Sequence, residues 1–124
     1  MQVDTLDIRA ALDESMRISG AIGAAIVDYE TGMCLGTIGG GPIDMELAAA
    51  GNTEVVRAKK SIRTQLGLTD RIHDILITLD TQYHLIRLAR NNPNLFFYLA
   101  IDKEGSNLAL ARMRLKQIDA ALDL

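Results

Sequence analysis

Between residues 21 and 35 the chain reads AIGAAIVDYETGMCL, and this stretch constrains the fold more than any other. Ala21, Ile22, Gly23, Ala24, Ala25, Ile26 and Val27 are small or apolar at every position, where a half-exposed strand would alternate. A run of this kind fits a strand whose sheet is covered on both faces. Asp28 ends the run. Glu30-Thr31-Gly32 then supplies turn residues, with Gly32 free to take a positive φ. Met33, Cys34, Leu35, Gly36, Thr37 and Ile38 resume an extended pattern. Two such runs joined by a short connection predict an antiparallel hairpin.

The other segments alternate cleanly around it. Asp4 or Thr5 can cap a first helix that carries Ile8, Leu12 and Met16 and stops at Gly20. Gly39-Gly40-Gly41-Pro42 forms a corner, and Asp44 is placed to cap a long second helix. The core stripe expected on that helix is Leu47, Gly51, Val55, Ala58, Ile62 and Leu66, with Gly67 closing it. Extended segments are expected at Arg71–Asp80, Gln82–Arg90 and Leu95–Asp102, the last two separated by Asn91-Asn92-Pro93-Asn94. Ser106 or Asn107 can cap a final helix with Leu108, Ala111, Leu115, Ile118 and Leu122 facing inward. The predicted order is α-β-β-α-β-β-β-α: one domain over residues 1–124, an α/β three-layer sandwich with helices on both sides of a five-stranded sheet.

Composition removes several function classes. A hydrophobic content of 48% excludes disorder, and no apolar run approaches the roughly 18 residues of a membrane span. The start of the chain mixes polar and apolar residues and reads as no signal peptide, so a cytoplasmic location without membrane insertion is expected. A net charge of −3 provides no electrostatic footprint for nucleic acid. Cys34 is the single cysteine, which excludes an internal disulfide.

Candidate chemistry is sparse, and no cofactor or metal is expected. Gly39-Gly40-Gly41 lacks the Lys-Ser/Thr pair of a phosphate-binding loop and is followed by Pro42-Ile43-Asp44. Cys34 sits between Met33 and Leu35 with no cation nearby to lower its pKa, which reads as a core thiol. His73 and His84 lack the converging ligands of a metal site. Ser15, Ser19, Ser61 and Ser106 have no nucleophile-elbow context. The chain reads as a protein without catalytic activity.

Together these features carry a resemblance. The hairpin, Ala48-Ala49-Ala50-Gly51-Asn52-Thr53-Glu54 in the second helix, Asp74–Leu79 with Gln82–Arg87, and Asn107-Leu108-Ala109-Leu110-Ala111-Arg112 are similar, in this order, to the bacterial stand-alone branch of the roadblock (dynein light chain type) family. The resemblance implies a longin- or profilin-like, mostly antiparallel sheet of strand order 2-1-5-4-3. One helix would cover one face and two the other. It also implies a homodimer that binds or regulates a small Ras-like GTPase, as a scaffold or as a candidate activator of hydrolysis.

Two surfaces fit a dimer. On the second helix Met45, Ala49 and Val56 make another apolar stripe, with Asn52 between them and Lys59 and Arg63 beyond. Acids Asp44, Glu46 and Glu54 lie in its first half and bases in its second, which suits the helix dipole and also an antiparallel pairing about a two-fold axis. The segment carrying Asp74, Leu76 and Thr78 falls at a sheet edge, where it pairs with its own copy or is guarded by Asp74 and Asp80. Arg57, Lys60 and Ser61 would then face a GTPase. A sensory module binding a small ligand or another signalling protein is the alternative.

Overall fold

A computed structural model describes residues 5–124, so Asp4, one expected helix cap, lies outside the described residues. The elements are α1 (Ile8–Met16), β1 (Ala21–Asp28), β2 (Cys34–Gly39), α2 (Met45–Gln65), β3 (Asp74–Thr78), β4 (Gln82–Leu88), β5 (Leu95–Asp102) and α3 (Leu108–Ala121). Each helix begins at a side-chain cap, because its first backbone N–H groups have no partner within the helix. Asp7, rather than Thr5, accepts from Ala10 N at 2.8 Å. Asp44 accepts from Leu47 N at 3.1 Å, and Asn107 from Leu110 N at 3.1 Å.

The strands form one antiparallel sheet in the order β2-β1-β5-β4-β3. β5 lies at the centre and is buried from Leu95 to Ile101, which accounts for its unbroken apolar run. Ala24, Ile26, Leu85, Phe97, Leu99 and Ile101 pack beneath α1 and α3. On the opposite face Ala25, Val27, Ile86, Phe96, Tyr98 and Ala100 pack beneath α2. Alternate residues of the same strands thus build two separate cores. The three-layer sandwich and strand order are as the resemblance implied.

The β1–β2 connection is tied by its own residues. Gly32 N donates to Asp28 O at 2.8 Å, the Asp28 carboxylate accepts from Glu30 N at 2.9 Å, and Gly32 adopts φ +79°. The glycine corner is equally specific. Gly40 has φ +112°, and a Cβ built on Gly23 would lie 2.7 Å from the Gly40 backbone. The corner therefore needs glycine for backbone reasons alone.

The face of α2 that meets the sheet differs from the expected one. Met45, Ala49, Thr53 and Val56 are buried, whereas Leu47 is 70% and Leu66 67% exposed, with Gly51, Val55, Ala58 and Ile62 also outward. The two stripes are offset by two residues, about 200° around the helix at roughly 100° per residue. Periodicity is the same for both. Two contacts decide between them. Met45 follows the corner and packs against Gly40 and Gly23, and the Thr53 hydroxyl is satisfied by donating to Ala49 O at 2.9 Å. A polar residue can therefore occupy the inner face without an orphaned group.

His84 of β4 lies on the same side of the sheet as α2, against Tyr98. Its ring meets Tyr98 at an interplanar angle of 88°, with Nδ1 3.0 Å from the Tyr98 hydroxyl and Nε2 2.8 Å from Gln82 Oε1. The neutral Nε2–H tautomer satisfies both contacts, accepting from the tyrosine and donating to the amide oxygen. Burial pushes the Tyr98 hydroxyl up to about 12, so it stays protonated as the donor. Burial also lowers the His84 pKa from its ordinary 6.5. A depressed histidine contributes stability that is complete above 6.5 and is lost as the pH falls below it, because the unfolded chain takes up the proton first. An NMR titration of the His84 ring should give a midpoint below 6.5; a midpoint at or above it would contradict this packing.

Candidate functional site

The residues expected to mediate contacts divide into three groups. Met45, Ala49 and Val56, expected at a two-fold interface, belong to the protomer's own core, with Val56 0% exposed. Asn52 is half-buried and donates to Ala48 O at 2.7 Å. Their place on the outer face is taken by Leu47, Val55, Ile62 and Leu66. At the C-terminal end Ile62 and Leu66 join Leu68 and Ile72 around an apolar cleft of about 160 Å³, with Lys59 and Arg63 at its border. Leu47, Val55, Ile62 and Leu66 thus make a row of exposed aliphatics along one face of α2, where lone ones would be ordinary.

The second group lies at the sheet edge. β3 pairs with β4 on one side and ends the sheet on the other. Leu76 is partly exposed and Thr78 exposed, whereas Asp74 faces α3 and takes a bidentate contact from Arg112 at 2.9 and 3.0 Å. Asp74 is thus occupied within the chain. The outer backbone groups of β3 remain a template for another strand.

The third group was expected to face a partner. Arg57 and Lys60 are instead fastened to the β1–β2 connection. Arg57 Nε donates to Tyr29 O at 2.7 Å and an Nη to Glu30 O at 2.8 Å, while Lys60 Nζ donates to the Tyr29 hydroxyl at 2.6 Å. Both hold the hairpin to α2, and their charge stays at the surface. Ser61 is exposed and accepts from Gln65 Nε2 at 3.0 Å. Sequence reading missed Tyr29, because a contact spanning about thirty positions leaves no local signal.

Over the surface where the end of α1 meets α3, a wide open groove of about 660 Å³ runs from Arg17–Ser19 to Leu110, Met113 and Arg114. Ser106 lines it and has a buried Oγ without a hydrogen-bond partner. Among the described residues no group of three or more His, Cys, Asp and Glu side chains could hold a metal. Among the same residues no helix is long and apolar enough to cross a membrane. Cys34 is half-buried, and burial raises its thiol pKa from 9.0, away from nucleophile chemistry.

This arrangement, with a central β5, one helix above and two below, recurs in solved structures. Myxococcus xanthus MglB superimposes with a TM-score of 0.81 at 17% identity, over 92% of this chain and 89% of that one. A Roadblock/LC7 domain from Streptomyces avermitilis gives 0.79 at 13%, over 93% of both chains. The chain has the roadblock/LC7 fold. The gliding protein MglB from Thermus thermophilus aligns at 0.67 and 18%, over 89% of this chain and 86% of that one. No protein-family model and no curated protein matches the sequence. Identities this low establish the roadblock architecture and leave its surfaces to be argued from their own residues.

Proposed function

We propose that this chain is a non-catalytic cytoplasmic regulator or scaffold that works as a homodimer and binds a small Ras-like GTPase. The observation that carries the dimer is the apolar outer stripe of α2 beside the open edge of β3. Pairing two β3 strands about a two-fold axis would join the sheets and set the two α2 helices side by side, covering Leu47, Val55, Ile62 and Leu66. In an antiparallel arrangement the acidic first half of each α2, with Glu46 and Glu54, meets the basic second half of the other, with Lys59 and Arg63. The GTPase reading rests on the roadblock resemblance and is favoured by the likeness to MglB. Since Arg57 and Lys60 hold the hairpin, any effect on hydrolysis would come from positioning the GTPase rather than from an inserted arginine.

Sedimentation at micromolar concentration should return twice the chain mass of 13.5 kDa, as expected for an interface burying at least about 1,200 Å². The dimer should bind a Ras-like GTPase of its native host with different affinity for the GDP- and GTP-analogue-loaded forms. A monomer overturns the platform, and equal absence of binding in both states overturns the partner. The groove over α1 and α3 favours a second reading, a sensory module for a small ligand. That reading would be supported by a ligand that shifts Ser106 and Met113 resonances without any GTPase contact.

A further inference from the structure

Six of the nine arginines pair with carboxylates: Arg9, Arg17, Arg57, Arg87, Arg112 and Arg114. Among the described residues the other three, Arg63, Arg71 and Arg90, have no ion pair, and all three line a single cavity of about 230 Å³. Lys60 lines it too, with no ion pair, its ammonium hydrogen-bonded to the neutral Tyr29 hydroxyl and 4.7 Å from the centre of the same ring. No carboxylate among the described residues contributes to the lining. The four cations come from separate parts of the chain: Lys60 and Arg63 from adjacent turns of α2, Arg71 from the α2–β3 connection, Arg90 from just beyond β4. Bringing like charges together is unfavourable unless something neutralises them. Arg63 sharpens the point, because its Nε is buried and has no hydrogen-bond partner, while its Nη1 reaches only Asp70 O at 3.3 Å. A buried orphan donor in a native fold calls for a missing acceptor.

We propose that this cavity binds a small oxyanion of the phosphate class. Guanidinium groups match the tetrahedral oxygens of phosphate through paired N–H donors, and charge-assisted bonds of this kind are the strong ones. Size narrows the ligand. The volume equals the share of about eight waters at roughly 30 Å³ each and lies below the roughly 300 Å³ at which drug-sized pockets begin. It accommodates a phosphate group, and the Gly39–Gly41 corner adds no phosphate-binding loop that would point to a nucleotide. Arg63 also borders the apolar cleft on the outer face of α2. The oxyanion therefore sits next to the surface through which copies of the chain would pair, and its charge would offset the crowding of Lys60, Arg63, Arg71 and Arg90 within each copy.

The test is a titration of isotope-labelled full chain with inorganic phosphate at constant ionic strength, balanced with sodium chloride. Arginine Nε–H resonances of Arg63 and Arg90 should shift saturably at millimolar phosphate. Arg90→Gln and Arg71→Gln, both at exposed positions, should fold normally and lower the affinity at least about tenfold each. Arg63→Gln should abolish saturation; should it fail to fold, the two exposed variants carry the test. Pyrophosphate and acetate distinguish the ligand chemistry. Equal binding of acetate would make this a carboxylate site and overturn the phosphate assignment. Shifts that follow ionic strength alone, or unchanged phosphate affinity in Arg90→Gln, would overturn the site itself.

Discussion

Val56→Asp should unfold the domain rather than split a dimer. Val56 is fully buried on the inner face of α2, in the core that contains Ala25, Ile86, Phe96 and Tyr98. The substitution forfeits roughly 1.5–3 kcal/mol of apolar burial. It also strands a carboxyl group inside an apolar core, where the group must take up a proton, admit water or draw Lys60 away from the Tyr29 hydroxyl, at a further cost of about 2 kcal/mol or more. A small domain holds only about 5–15 kcal/mol in all, so most of the molecules should be lost to unfolding or aggregation. Ile62→Asp provides the contrast. Ile62 is 45% exposed on the outer stripe, and its replacement should leave urea unfolding of the isolated protomer within about 0.5–1 kcal/mol while shifting sedimentation toward the monomer. If Val56→Asp melts like the parent protein and sediments as a monomer, α2 packs through the opposite face from the one described.

That pair of substitutions also marks where sequence reading ends. The hairpin, the caps at Asp44 and Asn107, the bounds of β5 and the inward stripe of α3 were all legible, because each depends on nearby residues and one periodicity. The rotation of α2 was not. Leu47–Leu66 and Met45–Val56 have the same helical spacing, and the former is longer and more apolar, so pattern alone favours the wrong face. What settles it is the glycine corner, where Gly23, Gly40 and Met45 meet. The shorter β3 has a similar origin. Residues 71–73 have strand-like composition, but Arg71 and Ile72 turn aside to wall the cavities next to α2. The candidate site depends most on this rotation, since turning α2 by about half a turn exchanges the Met45–Val56 stripe in the core with the Leu47–Leu66 stripe at the surface. Arg57 and Lys60 were legible as basic and helical, but their engagement by Tyr29 depends on tertiary approach alone.

Asp119→Ala should be the most damaging change outside the apolar core. Asp119 of α3 is fully buried and takes Arg87 Nε of β4 at 2.8 Å, and it also accepts from the Arg90 backbone N–H at 3.1 Å. One carboxylate thus fastens the last helix to the sheet and ends the strand beneath it. Nothing in the sequence flagged this pair, because Asp119 reads as an ordinary polar position between Ile118 and Ala120. Removing the acid leaves the guanidinium buried with no counter-charge and the Arg90 amide with no acceptor. Breaking one side of such a buried pair typically destabilises by about 3–5 kcal/mol. Asp119→Asn keeps an oxygen for both donors and should lose markedly less, which separates the charge from the hydrogen bonds. Replacing both partners, Arg87→Met with Asp119→Leu, should recover much of the loss, since a well-packed apolar pair avoids the desolvation of two ions. Urea denaturation of the three variants measures the differences directly. A loss under about 1 kcal/mol for Asp119→Ala would mean that water reaches Arg87, and that α3 is held to the sheet by Leu115, Ile118 and Leu122 alone.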